Sequence, residues 1–484
     1  MNSFLLAMDW GDIIGYQYPS PQAPQDRERL IYMTAEYRNI PSVSSILECT
    51  EVRKLSDEFS ISNVTELVRE TLDIARGKMS EGGPAPSIES LTVEILSVAR
   101  ARWRNWPVRV INATGVVLHT NLGRSPLSSD ALQAACEASA GYSDLELDLP
   151  SGKRGSRQSQ VSQILCELTG AEDALVVNNN ASAVLLGIAS TATGKDVVVS
   201  RSESVEIGGG FRIPDVLIQS GAGLKEVGTT NRTYIQDFEK AIDENTGALL
   251  SVHASNFKIV GFTHAPTIKE LSELGQNKGI PVLHDIGSGC LLDPSQFGLT
   301  GEPVPRYSIE EGADLCFFSG DKLLGGPQSG IIVGKKHYVS QLASHPLARA
   351  FRIDKMNLAA LNSTLLHYIR EEAEEKIPIW RMLSTTKHQL LERAQIIKDR
   401  LGSLLTIEET RSAIGGGSFP GFDMESISLV FDNGSPDAMG AKMRNCETPV
   451  VCRIEDDRLI FDLRTVLSEE DDTLARTILQ NVND

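Results

Sequence analysis

Cysteine is sparse in this chain and never paired. The seven cysteines, at positions 49, 136, 166, 290, 316, 446 and 452, are widely spaced and form no CxxC motif. Such usage fits a reducing cytoplasm and argues against both a disulfide framework and a zinc site. Long apolar runs are missing too: none approaches the roughly 18–20 residues that span a bilayer. The opening MNSFLLAMDW has no basic stretch and meets Asp9 early, which makes a poor signal peptide. No GxxxxGK[ST] occurs, and Gly194 and Lys195 are followed by Asp196, so phosphate-loop nucleotide chemistry is set aside. Positive charge is in deficit, with 46 Lys and Arg against 64 Asp and Glu, a formal net charge of −18. That balance disfavours indiscriminate binding to polyanions, so a nucleic-acid partner would need a local basic face. Internal repeats and low-complexity tracts are also lacking.

The 484 residues are too many for one small core and imply two or three domains. Residues 1–32 show no period, carry Pro19, Pro21 and Pro24 close together, and read as a mobile leader, with Met33 as an alternative start. Residues 33–86 read as a small helical domain. Its firmest helix places Val64, Leu67, Val68, Leu72 and Ala75 on one face, with Ser62 or Asn63 as cap. Gly82, Gly83, Pro84 and Pro86 interrupt it. Residues 87–107 read as a connector, a helix ending in Arg100, Arg102 and Arg104 around Trp103 and Trp106. That cluster suits either cations compensating a helix dipole or an RNA contact.

From residue 108 the pattern becomes an alternation of short apolar runs and amphipathic helices. Strands are expected at 174–177, 197–199, 248–253, 281–285 and 315–318, with helices such as 234–242 and 267–274 between them. This is the rhythm of an α/β protein with a mostly parallel sheet covered on both faces. Ligands of such sheets bind beyond the carboxyl ends of the strands. A long helical stretch, 355–401, then leads to a small α+β domain, with the catalytic domain assigned to 108–374 and the small domain to 375–484. Its strands are expected near 428–431, 450–454 and 458–462, the last two joined by a hairpin turn at Asp456 and Asp457.

The stretch that organises the rest is ADLCFFSGDKLLGGPQSGIIV, residues 313–333. It reads as a buried strand, a polar turn carrying Lys322, a glycine-rich bend and a second strand from Ile331. A lysine between two apolar strands is well placed to join an aldehyde as an imine, because burial lowers an amine's pKa toward neutrality. An ordinary loop lysine with its stem on apolar surface is the competing account.

Pyridoxal phosphate needs such a lysine, a carboxylate for its ring nitrogen, a phosphate cup and a donor near its 3-oxygen. Each has a candidate in the chain. Asp285, in VLHDIGSG, closes a strand 37 residues before Lys322; a capping or turn role is its alternative. Asn256, in HASNFKIVGF, could donate to the 3-oxygen. The run NNNASAVLL passes from strand end to helix start, so amides near Asn180, Ala181 and Ser182 could hold the phosphate. Ser319 can add a hydroxyl. Strand ends, order and lysine turn together resemble the fold-type I pyridoxal-phosphate enzymes.

Within that group, RVINATGVVLHTNLGRSPLS, YSDLELDLPSGKRGSR, VEIGGGFRIPDV, EVGTTNRT, SGDKLLGGPQSG and HPLARAFRIDK resemble the bacterial selenocysteine synthase family, the L-seryl-tRNA(Sec) selenium transferases. The resemblance runs from about Arg38 to Val466. It implies conversion of seryl-tRNA(Sec) to selenocysteinyl-tRNA(Sec) with selenophosphate, by loss of water through an aminoacrylyl ester and addition of selenium. It further implies Lys322 as the cofactor lysine, Asp321 as a catalytic acid, and Arg124, Arg349 and Arg352 as holders of the donor's anion. Arg349 and Arg352 lie three apart, so a helix would present both on one face; exposed ion-pairing is the bland alternative. The resemblance also implies a tRNA-binding amino-terminal domain and a homodecamer built from dimers, with active sites at subunit contacts. The leader has no counterpart in the family, and Cys452 in VVCRIEDDRL stands where a small residue is usual. Two rivals remain: a cysteine desulfurase-like enzyme on a small amino acid, for which Cys290 is the one candidate thiol, and a non-catalytic RNA-binding relative.

Overall fold

The computed structural model describes residues 39–207 and 210–482. The leader expected over residues 1–32 lies outside the described residues. The chain divides after Val108 into two units.

The first unit consists of helices Val43–Leu47, Thr50–Phe59, Ile61–Ser80 and Ile88–Trp103. Ser42 and Ser87 cap the first and last of these, accepting from the Ser45 and Ser90 amides. Val64, Leu67, Val68, Leu72 and Ala75 form one buried stripe, as their spacing predicts. That helix begins earlier than expected, at Ile61, after Ser60 turns the chain at φ 75°. Asn63 is therefore inside it, donating to the Phe59 carbonyl at 3.1 Å instead of capping. Helix Ile88–Trp103 packs Leu91, Ile95 and Ala99 into the same core. The segment read as a connector is thus one of the bundle's walls. At its end Trp103 lies 5.1 Å from the Phe59 ring, and Arg102 pairs with Glu70 at 2.8 Å.

The second unit is built on a seven-stranded sheet. Its strands are β1 (Asp173–Val177), β2 (Asp196–Ser200), β3 (Gly223–Val227), β4 (Thr246–Val252), β5 (Val282–Gly287), β6 (Leu315–Ser319) and β7 (Gly330–Gly334). They lie in the order β1-β7-β6-β5-β4-β2-β3, and only β7 runs antiparallel to its neighbours. Every residue of β4, β6 and β7 is buried. Strands covered on both faces read as continuous apolar runs, which is why they were legible. β3 was not, because it is an edge strand whose Lys225 and Glu226 keep contact with solvent.

Successive side chains of β6 serve opposite faces. Phe317 packs with Ala183, Val184 and Ile188 of helix Asn180–Ala192. Cys316 and Phe318 pack with Leu165 of helix Ser159–Thr169 and with Leu361 and Leu365 of helix Lys355–Ile369. Burying a side chain the size of Phe or Leu stabilises by roughly 1.5–3 kcal/mol, so both covers are held firmly to the sheet. On the first face the fit is close: a Cβ at Gly187 would meet the Phe317 ring at 2.4 Å.

A second, six-stranded sheet runs in the order Ile111–Ala113, Val450–Glu455, Arg458–Asp462, Asp423–Phe431, Thr406–Gly415, Val116–Leu118. Two of its strands thus come from residues 111–118, which the sequence grouped with the catalytic segment. The hairpin at Asp456 and Asp457 is present, with φ 51° and 55° at the two turn residues, the twist that a two-residue hairpin needs. After strand Thr406–Gly415 a glycine bend carries the chain back toward the carboxyl ends of β4 to β6.

Candidate active site

β6 ends at Ser319, and the turn to β7 is pinned by its own backbone. The Gly320 amide donates to Ser329, the Gly326 amide to Gly320, and the Leu323 amide to Ser288 beyond β5. A rigid turn holds Lys322 where water reaches it poorly, at 6 % exposure. Burial pushes the amine's pKa below the ordinary lysine value, and the Arg124 guanidinium adds to that; Asp285, Asp321 and Glu302 oppose it. The amine is therefore biased toward its neutral, nucleophilic form.

Asp285, near the end of β5, is 3 % exposed. Its Oδ1 accepts from Asn180 Nδ2 at 2.9 Å and from the Gly287 amide at 3.1 Å. Burial raises its pKa, while the Asn180 bond and the Lys322 charge hold it down. Lys322, Asp285, Ser319, Asn180, Ala181 and Arg124 line one cavity of about 260 Å³, closed by His253, Ser255 and Gln328.

The phosphate cup is narrower than expected. Asn179 caps helix Asn180–Ala192, its Oδ1 accepting the Ser182 amide at 2.8 Å, so Ser182 is already engaged and lies outside the cavity wall. Asn180 and Ala181 remain at the positive end of that helix. The approach is possible because residue 330 is glycine: a Cβ there would stand 2.0 Å from the Asn179 carbonyl oxygen.

Asn256 corrects the expectation of a 3-oxygen donor. It is exposed, with its amide on the Glu206 carbonyl at 3.0 Å, and the buried Ser255 lines the cavity instead. β4 ends at Val252, and the chain turns so that residue 255, not 256, meets the site.

Arg124, in a left-handed turn at φ 63°, donates to Asp321 Oδ2 at 2.8 Å, and the Ser125 amide donates to the Asp321 carbonyl. Arg349 and Arg352 do not share a helix face. Helix Pro346–Ala350 ends first, and Arg352 sits in a bridge with Val177, its Nη1 3.9 Å from Glu146. Both are exposed, and neither lines the cavity. Cys290 offers no reactive thiol: it is buried, donates to the Leu292 carbonyl, and burial raises its pKa far above the usual value.

No sequence pattern singles out His253, Ser255, Gln328 or Gly417, though each borders the lysine. His253 and Ser255 stand in the HASN segment, beside the asparagine whose residue type suggests the donor. Gly417 belongs to the glycine bend that follows strand Thr406–Gly415. At φ +83° it passes so close to the lysine that a Cβ would lie 2.8 Å from Lys322 Nζ.

The residues fit pyridoxal phosphate. A neutral-biased lysine, a buried carboxylate and a helix start share one cavity, and the buried Asn180 Oδ1 and His253 Nε2 atoms have no hydrogen-bond partner among the described residues. Fold and site together define a fold-type I pyridoxal-phosphate enzyme. In overall fold the chain is similar to D-glucosaminate-6-phosphate ammonia-lyase, with a TM-score of 0.56 at 19 % identity over 78 % of this chain and 96 % of that one. The model of the SelA family, L-seryl-tRNA selenium transferase, matches residues 110–467, and that of the selenocysteine synthase N terminal matches residues 37–76. The L-seryl-tRNA(Sec) selenium transferase of Carboxydothermus hydrogenoformans is 46 % identical, over 91 % of this chain and 97 % of that protein. The protein of the same name from Geobacter sulfurreducens is 47 % identical, over 90 % and 96 %. The chain belongs to the L-seryl-tRNA selenium transferase family.

Proposed function

We propose that this enzyme converts L-seryl-tRNA(Sec) to L-selenocysteinyl-tRNA(Sec) in the cytoplasm, taking selenium from selenophosphate, as a homo-oligomer of the decameric kind the resemblance implies. The observation that carries the reading is the meeting of the buried Lys322 and Asp285 in one cavity, within a chain so similar to proteins named for this reaction. Bound pyridoxal phosphate supplies an electron sink for charge developing at the seryl α-carbon. Lys322, biased toward its neutral form, anchors the cofactor and then takes the α-proton. Asp285, oriented by Asn180, would serve as the carboxylate partner of the cofactor's ring nitrogen. Ser319 and the amides of Asn180 and Ala181 would hold its phosphate.

Asp321, steadied by Arg124, is proposed as the acid that protonates the departing β-hydroxyl. Arg124 holds the donor's anion, and Arg349 and Arg352 complete that set where subunits meet. The helical amino-terminal unit binds the tRNA, with Arg100, Arg104 and Trp103 beside one open groove as the proposed contacts.

Among the described residues no helix is long and apolar enough to cross a membrane. The deciding experiment is mass spectrometry of seryl-tRNA(Sec) incubated with the loaded enzyme and selenophosphate. A selenium-bearing aminoacyl ester is expected. Turnover of free serine or cysteine without tRNA would overturn the assignment in favour of a small-substrate enzyme.

A further inference from the structure

A second and larger cavity, about 810 Å³, lies against the first, and His253 lines both. Behind His253 stands Glu302, in the loop before helix Pro305–Glu310, a buried carboxylate that the proposed chemistry leaves unused. Glu302 Oε2 accepts the Phe419 amide at 2.8 Å and lies 3.6 Å from His253 Nε2. Its Oε1 and the facing His253 Nε2 are both buried without a hydrogen-bond partner among the described residues. Two buried polar atoms left open on neighbouring side chains can pair after a small rotation.

The bond to Phe419 bears on the lysine. Phe419 is a buried non-glycine residue at φ 46°, a conformation that persists only where its surroundings impose it. Glu302 holds its amide from one side. Two residues earlier, Gly417 passes within reach of Lys322 Nζ. The carboxylate therefore joins the end of β4, the bend that closes over the amine, and the wall between the two cavities.

We propose that Glu302 is a positioning residue for Lys322: it clamps the 415–419 bend over the amine through Phe419 and holds His253 against the cavity as its partner. This rests on the reading of Lys322 as the cofactor lysine. Glu302 contributes negative charge as well as a bond, and its field favours the charged form of Lys322. The other titratable groups around His253 and the lysine are Asp285, His284, Asp321, Arg124 and, in the larger cavity, Glu203.

The test separates bond from charge in the loaded enzyme. Glu302→Gln keeps an oxygen for the Phe419 amide and loses the charge; Glu302→Ala loses both. The expected result for Glu302→Gln is a melting temperature and a KM for seryl-tRNA close to the parent's. Its kcat should fall at least about tenfold, as for loss of a group that tunes a proton transfer, and the pH midpoint of the cofactor's visible band should move downward. Glu302→Ala should add a rise in KM. His253→Gln should lower kcat without lowering the melting temperature. A band midpoint and kcat unmoved in Glu302→Gln, or a parental kcat in His253→Gln, would overturn the inference while Lys322→Ala still abolishes the band. A parent enzyme without a lysine-dependent band would sink the reading of the site, and this inference with it.

Discussion

Asn180→Ala tests the electrostatics of the site most directly. The substitution removes the 2.9 Å donor from Asp285 Oδ1 and leaves the Gly287 amide and the Lys322 charge. A hydrogen bond to a charged group is worth about 1.5–3 kcal/mol, and at 3 % exposure Asp285 has little solvent to replace it. The ionised carboxylate should become less stable by about that amount. The sign follows from linkage. Burial already raises the folded-state pKa of Asp285 above its unfolded value, so its contribution to stability is fully present below that unfolded value and is lost as pH rises through the folded one. Losing the Asn180 bond raises the folded value further. In the cofactor-free protein the variant should therefore be weaker than the parent at neutral pH by about 1.5–3 kcal/mol, and nearly equal to it near pH 4. In the loaded enzyme the acid limb of the kcat/KM profile should move to higher pH, because Asp285 must be ionised to serve. Denaturant melts at the two pH values and the rate profile are the assays. Equal destabilisation at both pH values, with an unmoved acid limb, would refute the reasoning.

Four further outcomes are expected. Lys322→Ala should abolish the visible cofactor band and seryl-to-selenocysteyl conversion while tRNA affinity stays near the parent's, read by absorbance and filter binding. Removing residues 1–108, the whole helical unit including its Ile88–Trp103 wall, should weaken tRNA binding and keep the cofactor; unchanged affinity would refute the tRNA assignment. Gly417→Ala should lose about 1–2 kcal/mol from the left-handed backbone alone and should weaken cofactor retention by displacing Lys322 Nζ, measured by a melt and by cofactor release on dilution. Glu203, whose carboxyl burial pushes up to about 8 despite bonds from the Val252 amide and the Ser251 hydroxyl, loses its stabilising contribution as pH rises toward and through that value. Glu203→Gln should accordingly flatten the fall in melting temperature between about pH 4.5 and pH 8.

The glycines and strand ends show how far local reading reaches. β4, β6 and β7 were legible because a strand buried on both faces is a short unbroken apolar run. β3 and strand Thr406–Gly415 escaped because half-exposed strands mix charge with apolar residues, and no short-range rule separates them from loops. Lys322, Asp285 and Ser319 were found because each follows such a run at the carboxyl end of a parallel strand, where ligands of these sheets gather. Asn256 was displaced by Ser255 because a loop's register depends on how its backbone bonds close. Arg352 left the expected helix because that helix stops at Ala350 and the chain pairs with Val177 instead.

By itself, then, the sequence determined the βα alternation, the turn that buries one lysine, and the family to which the chain belongs, since all three are written in contiguous residues. Tertiary structure alone decided that Gly417 closes over Lys322, that Glu302 stands behind His253, and that strands from residues 111–118 join the carboxy-terminal sheet. Periodicity records which face of an element is buried. It carries no record of which distant loops meet above a sheet, because that is settled by the packing of whole elements against one another.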